Sequence, residues 1–516
     1  MSGGAALRVL DTDVRLSRSV LWNLQRDYFV QEGLEAWRTG VVPQFITTNA
    51  FMARAYAQVI AGFCADCEGR PVHIVELGAG SGRLAYAIVR ALLATPGITP
   101  GSFRYILTDL AAKNLAHTRR HPAFRELIAR GVVDFAPFDL QGDGPIAPQG
   151  TGRPLPKGPV VVIANYVFDS VPVDAFVVRD GVLHEARVTV QTADPVLIDT
   201  DPALIETVKL RYRTVPAAGT YYDHPTFDAI LDGYRTLRGT RAVRFPIVAL
   251  RALERLAAMS DGRMLLLSAD KGSLDHDAPA LRELPALARH GSFSMSVNYH
   301  AVSRWFALRG GRTLPPASDD ALLVAGFLAG PPGAEGLATR RAFHHGIRRF
   351  GPADFFSLKR ALTPERAEPF TLQEHMAWMR LSGDPEVLRQ HLPLLTDKVL
   401  HANAEQRRGL RPLVRQIWSR YLDIGENDDL AYAIGVLLCA TEEYREALVF
   451  FRRSTATTGL HPETQYNIAL CHHGLDEPQA ALEEVEQLLA RHPGHDGATR
   501  LRDQLTEPPP PHISPS

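Results

Sequence analysis

The sequence lacks a long apolar run, and it lacks an excess of charge of either sign. Its 516 residues include 56 Lys and Arg against 57 Asp and Glu, which leaves a formal net charge of −1. No stretch approaches the roughly 20 consecutive apolar residues that span a bilayer. A nearly neutral chain also lacks the positive electrostatic field that attracts the phosphates of a nucleic acid. We therefore expect neither a membrane nor a nucleic acid among its partners.

Cysteine is also scarce. Four cysteines in 516 residues are too few for a disulfide-stabilised secreted scaffold. Cys64 and Cys67 have the C-x-x-C spacing, but Cys439 and Cys471 are single residues far along the chain, so no second pair completes a metal site. The first eight residues lack the charged segment and apolar core of a secretory signal. We expect a cytoplasmic protein that holds no metal.

What is present is the composition of a soluble globular protein. Apolar residues make up 45% of the chain and charged residues 22%, which are ordinary fractions. A chain of 516 residues is too long for one core, so we expect two to four domains.

The most informative stretch is an apolar run that ends in an acid and is followed by alternate glycines. Residues 72–75 have β character and Glu76 follows them; Gly78, Gly80 and Gly82 come next, and an apolar helical pattern begins at residue 84. Glycine allows positive φ and close approach of the backbone to a ligand. The N-terminus of the following helix offers free N–H groups. The pattern predicts a strand, a tight turn and a helix.

The glycine spacing distinguishes between nucleotide ligands. A dinucleotide fingerprint, G-x-G-x-x-G, would place its third glycine at position 83, which is Arg83. The pattern Glu-x-Gly-x-Gly-x-Gly instead resembles motif I of the class I S-adenosylmethionine (AdoMet) methyltransferases. That resemblance implies AdoMet as cofactor, held by the following residues: Glu76, Gly78, Ala79, Gly80 and Gly82. The alternative is an ordinary strand-to-helix turn of another α/β protein.

Two later strand ends supply further candidate cofactor ligands. Residues 103–109 read as the second strand and end in Asp109, where an acid can accept both ribose hydroxyls; a helix N-cap is the competing role. After a short strand come Phe138 and Asp139. Asp139 could accept from an adenine amino group while the ring of Phe138 packs on the base.

A continuously apolar run, residues 158–165, predicts a central parallel strand. Asn165, Tyr166 and Asp169 follow at its C-terminal edge. Ligands bind at that edge of open α/β sheets, so we expect these three residues to face the methyl acceptor, with Asp169 as the orienting group or base. Residues 176–185 read as a hairpin with an Asp-Gly turn.

The segment from Ala164 to Phe176, with the Arg-Asp-Gly hairpin, resembles the signature loop of the MidA-like family. Further similar segments include a threonine pair at Thr47 and Thr48 and an Asp-x-Gly strand end at residues 270–272. The resemblance covers roughly residues 20–330. It implies kinship with the mitochondrial protein-arginine methyltransferase that helps assemble respiratory complex I.

Two positions depart from that family's pattern. Tyr166 stands where the family usually has Glu, and Asn298 stands where it has Asp. A guanidinium is best held by carboxylates, so arginine is a doubtful acceptor, although Asp169 and Asp174 could substitute. Two alternatives to a protein methyltransferase stay open: a non-catalytic scaffold that keeps the fold, and a small-molecule methyltransferase.

The C-terminal third has helical patterns and an internal repeat. Ala447 and Ala481 are 34 residues apart in similar surroundings, and Gly435 and Ala469 precede them by the same interval. A 34-residue period is that of tetratricopeptide repeats, which stack and present a concave surface. We therefore expect a protein partner or substrate to bind there; a generic helical bundle is the alternative.

The whole sequence predicts a Rossmann-like α/β methyltransferase sheet followed by an all-α domain that resembles tetratricopeptide repeats. A helical insertion at about 202–260 is compatible with a substrate lid or a homodimer surface. The expected divisions are a helical N-terminal region (1–70), the methyltransferase (71–330), a helical connector (331–428), the repeats (429–505) and a disordered tail (506–516).

Overall fold

The computed structural model describes residues 7–38, 45–217, 219–278, 282–317, 322–426 and 428–506. The chain divides into two compact units, Met1–Leu358 and Lys359–Ser516. The predicted disordered tail, from residue 507 onwards, lies outside the described residues. No helix within the described ranges combines the length and the apolar character needed to cross a membrane.

The first unit contains both strands and helices. Its strands in chain order are β1 (Arg8–Arg15), β2 (Val72–Leu77), β3 (Phe103–Asp109), β4 (Val133–Pro137), β5 (Gly158–Asn165), β6 (Asp174–Arg179), β7 (Val182–Thr192), β8 (Val208–Pro216), β9 (Thr240–Phe245), β10 (Ser260–Asp270), β11 (Gly272–Ser273), β12 (Ala288–His290), β13 (Ser292–Ser294), β14 (Val297–Asn298), β15 (Arg312–Leu314) and β16 (Leu323–Ala329). Its helices are α1 (Val20–Glu32), α2 (Glu35–Arg38), α3 (Phe45–Thr48), α4 (Ala50–Asp66), α5 (Arg83–Leu93), α6 (Ala112–Arg120), α7 (Pro122–Ala129), α8 (Pro225–Gly233), α9 (Ile247–Met259), α10 (Tyr299–Leu308), α11 (Leu337–Phe343) and α12 (Pro352–Ala361).

A seven-stranded sheet forms the centre of the first unit, in the order β15-β16-β10-β5-β2-β3-β4. The strands β10, β5, β2, β3 and β4 are parallel, β16 is antiparallel to β10, and β15 is antiparallel to β16. After β4 the chain crosses to the other side of β2 and forms β5. Ligands of open α/β sheets bind at such a switch point, beyond the carboxyl ends of the strands. The predicted Rossmann-like sheet is confirmed.

Continuous apolar sequence explains why the central strands were predictable. The five residues from Val160 to Ala164 in β5 have no exposed surface, as expected for a strand covered on both faces. The strands β2, β3 and β16 lie where the sequence places them, although Ala321, at the start of the last predicted strand, lies outside the described residues.

A second sheet is antiparallel throughout, in the order β1-β7-β6-β9 with β8 also paired to β7. The predicted hairpin is confirmed as β6 and β7, joined by Asp180 and Gly181 at φ 48° and 80°. The N-terminal region is not purely helical, because β1 precedes α1 and pairs with β7. That partner lies about 170 residues away in the chain, so helical periodicity near the N-terminus gives no sign of it.

The segment 202–260 differs from the predicted helical insertion. It contains α8 and α9 but also the strands β8 and β9 of the second sheet. The helical pattern of Leu250, Leu253 and Leu256 is real, since these residues are fully buried in α9. In β8 exposed residues alternate with less exposed ones, which is the period of a half-buried strand rather than of a helix.

The segment after Gly330 belongs to the first compact unit, which continues to Leu358. Its helix α11 is joined to the end of α4 because the carboxylate of Asp66 accepts the N–H groups of Ala338 (3.1 Å) and Thr339 (2.8 Å). The glycine-proline segment near residue 330 therefore lies inside this unit. The finer divisions drawn from the sequence stay predictions.

The second unit is helical throughout its described residues. Its helices are α13 (Pro364–Ala367), α14 (Leu372–Ser382), α15 (Pro385–Leu400), α16 (Ala404–Arg407), α17 (Leu410–Trp418), α18 (Leu430–Ala440), α19 (Tyr444–Thr458), α20 (Pro462–Gly474), α21 (Pro478–Arg491) and α22 (Asp496–Thr506). The predicted all-helical C-terminal region is confirmed.

Small residues lie where the C-terminal helices approach one another. Ala447, Ala469 and Ala481 have no exposed surface. A Cβ added to Gly435 would lie 2.6 Å from the ring of Phe451 in the next helix. These contacts agree with the small-residue positions of the 34-residue pattern. Membership of the tetratricopeptide class stays a prediction.

Candidate active site

Three glycines wind the chain from β2 into α5. Gly78, Gly80 and Gly82 have φ values of 62°, 52° and 75°, in the left-handed region that glycine adopts without strain. A Cβ on Gly82 would lie 2.6 Å from a side-chain carbon of α6. The N–H of Ala79 donates to a carbonyl of β3 at 2.8 Å. The turn is therefore tight and anchored to the neighbouring strand.

Glu76 is the penultimate residue of β2, and its side chain is buried. The hydroxyl of Tyr105 donates to its Oε2 atom at 3.0 Å. Burial raises the pKa of Glu76 to about 8, because a charged carboxylate loses its hydration there. A cationic group arriving in the crevice would favour its ionised form.

Asp109 lies at the end of β3 as predicted, but its oxygens hold the protein's own backbone. Its Oδ2 atom accepts the N–H of Gly80 at 2.8 Å, and its Oδ1 atom accepts the N–H of Ala111 at 2.7 Å and the Nδ2 atom of Asn114 at 3.3 Å. Three of the roughly four acceptor positions of a carboxylate are thus taken. The N-cap of α6 is Ala111 and has no side-chain cap, so Asp109 holds the loop before that helix, and the ribose role stays a prediction.

Phe138 and Asp139 do not reach the crevice beside the glycine turn. Phe138 is buried in the main core, and the guanidinium of Arg255 lies 4.5 Å from its ring centre. The Oδ2 atom of Asp139 accepts from Nη1 of Arg26, in α1, at 2.6 Å. Phe138 and Asp139, the two predicted adenine contacts, therefore already have partners among the described residues.

An open cavity lies at the carboxyl ends of β2 and β5. Its wall combines the glycine turn, the loop after β5 and the segment from β10 to β13. The residues that line it are Phe29, Thr47, Thr48, Glu76, Leu77, Gly78, Ala79, Gly80, Ser81, Leu84, Asn165, Tyr166, Asp169, Ser170, Lys271, His290, Ser292 and Ser294. Within the described ranges, no group of three or more His, Cys, Asp or Glu is arranged to hold a metal ion.

Asn165 and Tyr166 both line the cavity. The Oδ1 atom of Asn165 accepts from the hydroxyl of Tyr56 at 2.9 Å, and its Nδ2 atom donates to the carbonyl of Thr47 at 3.1 Å. Tyr166 has φ +51°, which a non-glycine residue adopts only under constraint. Its N–H donates to the carbonyl of Ala269 at 2.9 Å, so the loop is held rigidly against β10.

Asp169 is buried beside a second acid, Asp270. Burial raises the pKa of Asp169 to about 6, and burial together with the charge of Asp169 raises the pKa of Asp270 well above its usual range. The Oδ2 atom of Asp270 accepts the N–H of Phe168 at 3.1 Å, and Ser170 donates to Asp169 at 2.8 Å. The two acids compete for one proton, and the lower pKa of Asp169 favours the negative charge on that residue.

The far wall of the cavity contains residues that the sequence did not single out as site residues. Lys271 follows β10, while His290, Ser292 and Ser294 lie on the short β12–β13 hairpin. A glycine between two short segments, the second with serine at alternate positions, is a weak hairpin signal that could have drawn attention to it. Thr47 and Thr48, noted through the family resemblance, also line the cavity.

Two residues weighed from the family resemblance lie elsewhere. Asn298 is buried, caps α10 by accepting the N–H of Ala301 at 3.2 Å and donates to the hydroxyl of Tyr234 at 3.0 Å. The side chain of Asp174 accepts from the hydroxyl of Tyr222 at 2.8 Å. Both therefore have structural partners, and the change from acid to amide at position 298 does not alter the cavity wall.

One family model matches the chain. It covers residues 52–236 and is described as "Putative S-adenosyl-L-methionine-dependent methyltransferase". The match includes the glycine turn, the loop after β5 and the first hairpin of the second sheet. No curated protein matches the sequence significantly.

Several solved structures are similar at low identity. A Burkholderia thailandensis protein bound to S-adenosyl-homocysteine is 15% identical over 64% of this chain and 97% of its own, with a TM-score of 0.40. An uncharacterised protein from the same organism is 17% identical over 58% and 72%, at 0.39. The magnesium protoporphyrin IX methyltransferase of Synechocystis PCC 6803 is 13% identical over 59% and 97%, at 0.29. Because these identities and TM-scores are low, we assign the fold from the strand order of the central sheet.

The cavity wall carries groups suited to the methionine half of AdoMet. Gly78 and Gly80 bring backbone without side chains to the wall, and Glu76 places a carboxyl group on it that suits an ammonium. The adenosine half has fewer partners, because Asp109 and Asp139 are engaged within the protein. Residues 52–236 thus match AdoMet-dependent methyltransferases, and the cofactor is S-adenosyl-L-methionine.

Proposed function

We propose that this protein is an AdoMet-dependent methyltransferase that methylates a nitrogen of a protein side chain, on a partner recruited by the helical second unit. The observation that carries the proposal is the shared cavity. Glu76 and the glycine turn line one wall, and Asp169 and the loop after β5 line another. A cofactor and an acceptor held on these walls would meet.

The residues of this chain supply positioning and charge. The cofactor brings a methyl group on a sulfonium, whose transfer is an in-line displacement that depends on alignment and exclusion of water. The glycine turn and Glu76 hold the methionine part. Asn165 is tied to Tyr56 and Thr47, so it shapes the wall and cannot act as a base.

Asp169 orients the acceptor. It is the ionised member of a buried acid pair and faces the cavity. A single carboxylate suits the N–H groups of an amine, whereas the forked donors of a guanidinium are best matched by more than one. The charge of Lys271 also acts on Asp169 and disfavours a second permanent cation. An amine is therefore the preferred acceptor, ahead of arginine.

The second unit supports a protein partner. Its helices repeat at 34 residues with small buried residues at matching positions. Repeats of this kind stack into extended concave surfaces that bind other proteins. A partner bound there stays tethered to the unit that holds the cavity, because both units belong to one chain.

Cofactor binding is tested by calorimetry with S-adenosyl-homocysteine. Gly80→Arg places a long cation in the turn, and we expect binding to be lost. Gly131→Arg is the matched control, because Gly131 also has positive φ but a Cβ there meets nothing within 4 Å. Equal affinity in wild type and Gly80→Arg would refute the cofactor site.

Transfer is tested with methyl-labelled AdoMet and a cell lysate. The proposal expects label on a protein and, by mass spectrometry, on a side-chain amine. Label on metabolites alone would establish a small-molecule methyltransferase. Cofactor binding without label would identify a scaffold that keeps the fold.

A further inference from the structure

The β12–β13 hairpin has one apolar and one polar face. His290 lies opposite Ser292 across the hairpin, and Arg289 lies opposite Phe293. Because side chains alternate along a strand, Phe293 enters the core of the second sheet, where its ring lies 5.2 Å from that of Trp22. His290 and Ser292 line the cavity with Ser294.

The hairpin is fixed in place from both sides. The side-chain amide of Gln25, in α1, donates to the carbonyl of Phe293 at 2.6 Å and accepts its N–H at 3.0 Å. The N–H of Met295 donates to the carbonyl of Asp169 at 2.9 Å. The position of the imidazole of His290 is thereby coupled to that of the acceptor-facing acid.

The imidazole has hydroxyl groups as its neighbours. Its Nδ1 atom is 3.2 Å from Oγ of Ser292, and its Nε2 atom is 3.4 Å from Oγ of Ser294. A hydroxyl can donate or accept, so either ring nitrogen can carry the proton. Burial and the charge of Lys271 lower the pKa of His290, while Glu206 opposes them. The ring is thus neutral at pH 7.

We propose that His290 accepts the proton that the methyl acceptor loses, while Asp169 orients that acceptor. This inference rests on the proposed function and adds to it the identity of the base. It stands on the hairpin geometry, since the ring lines the same cavity as Asp169 and its hairpin is tied to the backbone of Asp169 through Met295.

The step balances without a further reactant. An ammonium acceptor passes one proton to a ring nitrogen of His290 and regains its lone pair. The acceptor nitrogen then forms a bond to the methyl carbon, the carbon–sulfur bond of AdoMet breaks, and the electron pair of that bond stays on sulfur. The protein is left with an imidazolium, which returns its proton to solvent after product leaves.

A purely structural role for His290 makes a different prediction. If the ring only stabilised the hairpin, replacing it would lower the melting temperature and the affinity for S-adenosyl-homocysteine together. As a base, its loss reduces transfer by about 10²-fold or more while that affinity stays within about threefold.

The test measures protein labelling between pH 5 and 9 with lysate as the acceptor source. For wild type, the rate should rise with pH through two limbs, one set by Asp169 and one by His290, and then level off. His290→Gln should lose at least about 10²-fold and keep only the limb set by Asp169, and added imidazole should restore His290→Ala. The control is His117→Gln, because His117 is exposed on α6.

The outcomes separate the two proposals. Wild-type rates in His290→Gln, or no rescue of an inactive but cofactor-binding His290→Ala by imidazole, would overturn the role of His290 alone. A wild-type protein that binds no S-adenosyl-homocysteine and transfers no label would overturn the proposed function and this inference together. If His290→Gln fails to fold, His290→Asn is judged by the same criteria.

Discussion

Two buried carboxyl groups show how position on the sheet edge sets chemistry at the scale of a residue. Glu76 and Asp169 lie at the ends of neighbouring parallel segments, and burial raises the pKa of each, to about 8 and about 6. Each charge is costly without a partner. Glu76 therefore stays protonated until a cation binds beside it. Asp169, by contrast, already carries the negative charge of its pair with Asp270.

Glu76 predicts proton-linked cofactor binding. Below pH 8 the free protein holds a proton on Glu76, and an ammonium in the cavity favours its release. The affinity for S-adenosyl-homocysteine should therefore rise with pH and level off above pH 8. Calorimetry in buffers of different ionisation enthalpy measures the released proton. Glu76→Gln should bind more weakly and show neither the release nor the slope.

The same group predicts a pH effect on stability. The folded-state pKa of about 8 exceeds the ordinary value of 4.5, so the folded state binds the proton more tightly than the unfolded state. The contribution of Glu76 to the stability of the free protein is then greatest below pH 4.5 and is lost as pH rises toward 8. Melting curves should show Glu76→Gln gaining over wild type at pH 8 and not at pH 4. A constant difference would contradict the assignment.

Asp270 predicts contrasting effects of two substitutions. A protonated Asp270 is a hydrogen-bond donor beside Asp169, and this pairing lowers the pKa of Asp169. Asp270→Asn keeps a donor, so labelled transfer should keep its acid limb near that of wild type. Asp270→Leu removes the donor, so the limb should move to higher pH. S-adenosyl-homocysteine affinity verifies folding, and identical profiles for the two variants would contradict the pairing.

The sequence located the acids but not all of their partners. Asp109 and Asp139 follow strands as predicted. In the fold, however, their carboxylates already accept hydrogen bonds from backbone N–H groups and from Arg26. The guanidinium that covers Phe138 comes from Arg255, more than 100 residues along the chain. Contacts of such range carry no local sequence signal, whereas strand ends do.

At the scale of elements, the glycine turn was predictable because the requirement for glycine comes from the local path of the backbone. Positive φ at Gly78, Gly80 and Gly82 follows from the sharp path between a buried strand and a helix. The β12–β13 hairpin was not predicted, since each strand has only three residues. Its buried serines, Ser292 and Ser294, also lack the apolar alternation by which strands are recognised.

Gly82 predicts a measurable cost of a single methyl group. Gly82→Ala combines positive φ with a clash at 2.6 Å, so we expect a loss of about 2–4 kcal/mol of unfolding free energy. Gly131→Ala has positive φ without a neighbour within 4 Å and should cost about 1 kcal/mol. Urea unfolding of both variants measures the difference. Equal losses would mean that the backbone alone, and not packing on α6, requires glycine at position 82.

At the scale of the whole molecule, the two compact units suggest separate tasks. The cavity residues all belong to the unit that ends at Leu358. The 34-residue pattern lies wholly in the other. A sequence period identifies a repeat but leaves the partner open, because the concave surface of such a stack depends on exposed residues that vary freely.

Gly435 provides the means to perturb the second unit alone. Gly435→Val forces a branched side chain into the ring of Phe451, where even a Cβ would lie 2.6 Å away, and should cost about 3 kcal/mol. For a unit of this size that lowers its melting temperature by roughly 6–12 °C. The control is Gly494→Val, since a Cβ at Gly494 meets nothing within 4 Å.

Calorimetry and labelling then separate recruitment from chemistry. With Gly435→Val, S-adenosyl-homocysteine affinity should stay within about twofold of wild type, because the cofactor cavity is untouched. Labelling of lysate protein should fall at least about tenfold at a temperature where the second unit has melted and the first has not, since a tethered acceptor gains effective concentration that a free one lacks. Undiminished labelling at that temperature would show that the acceptor reaches Asp169 without help from the helical repeats.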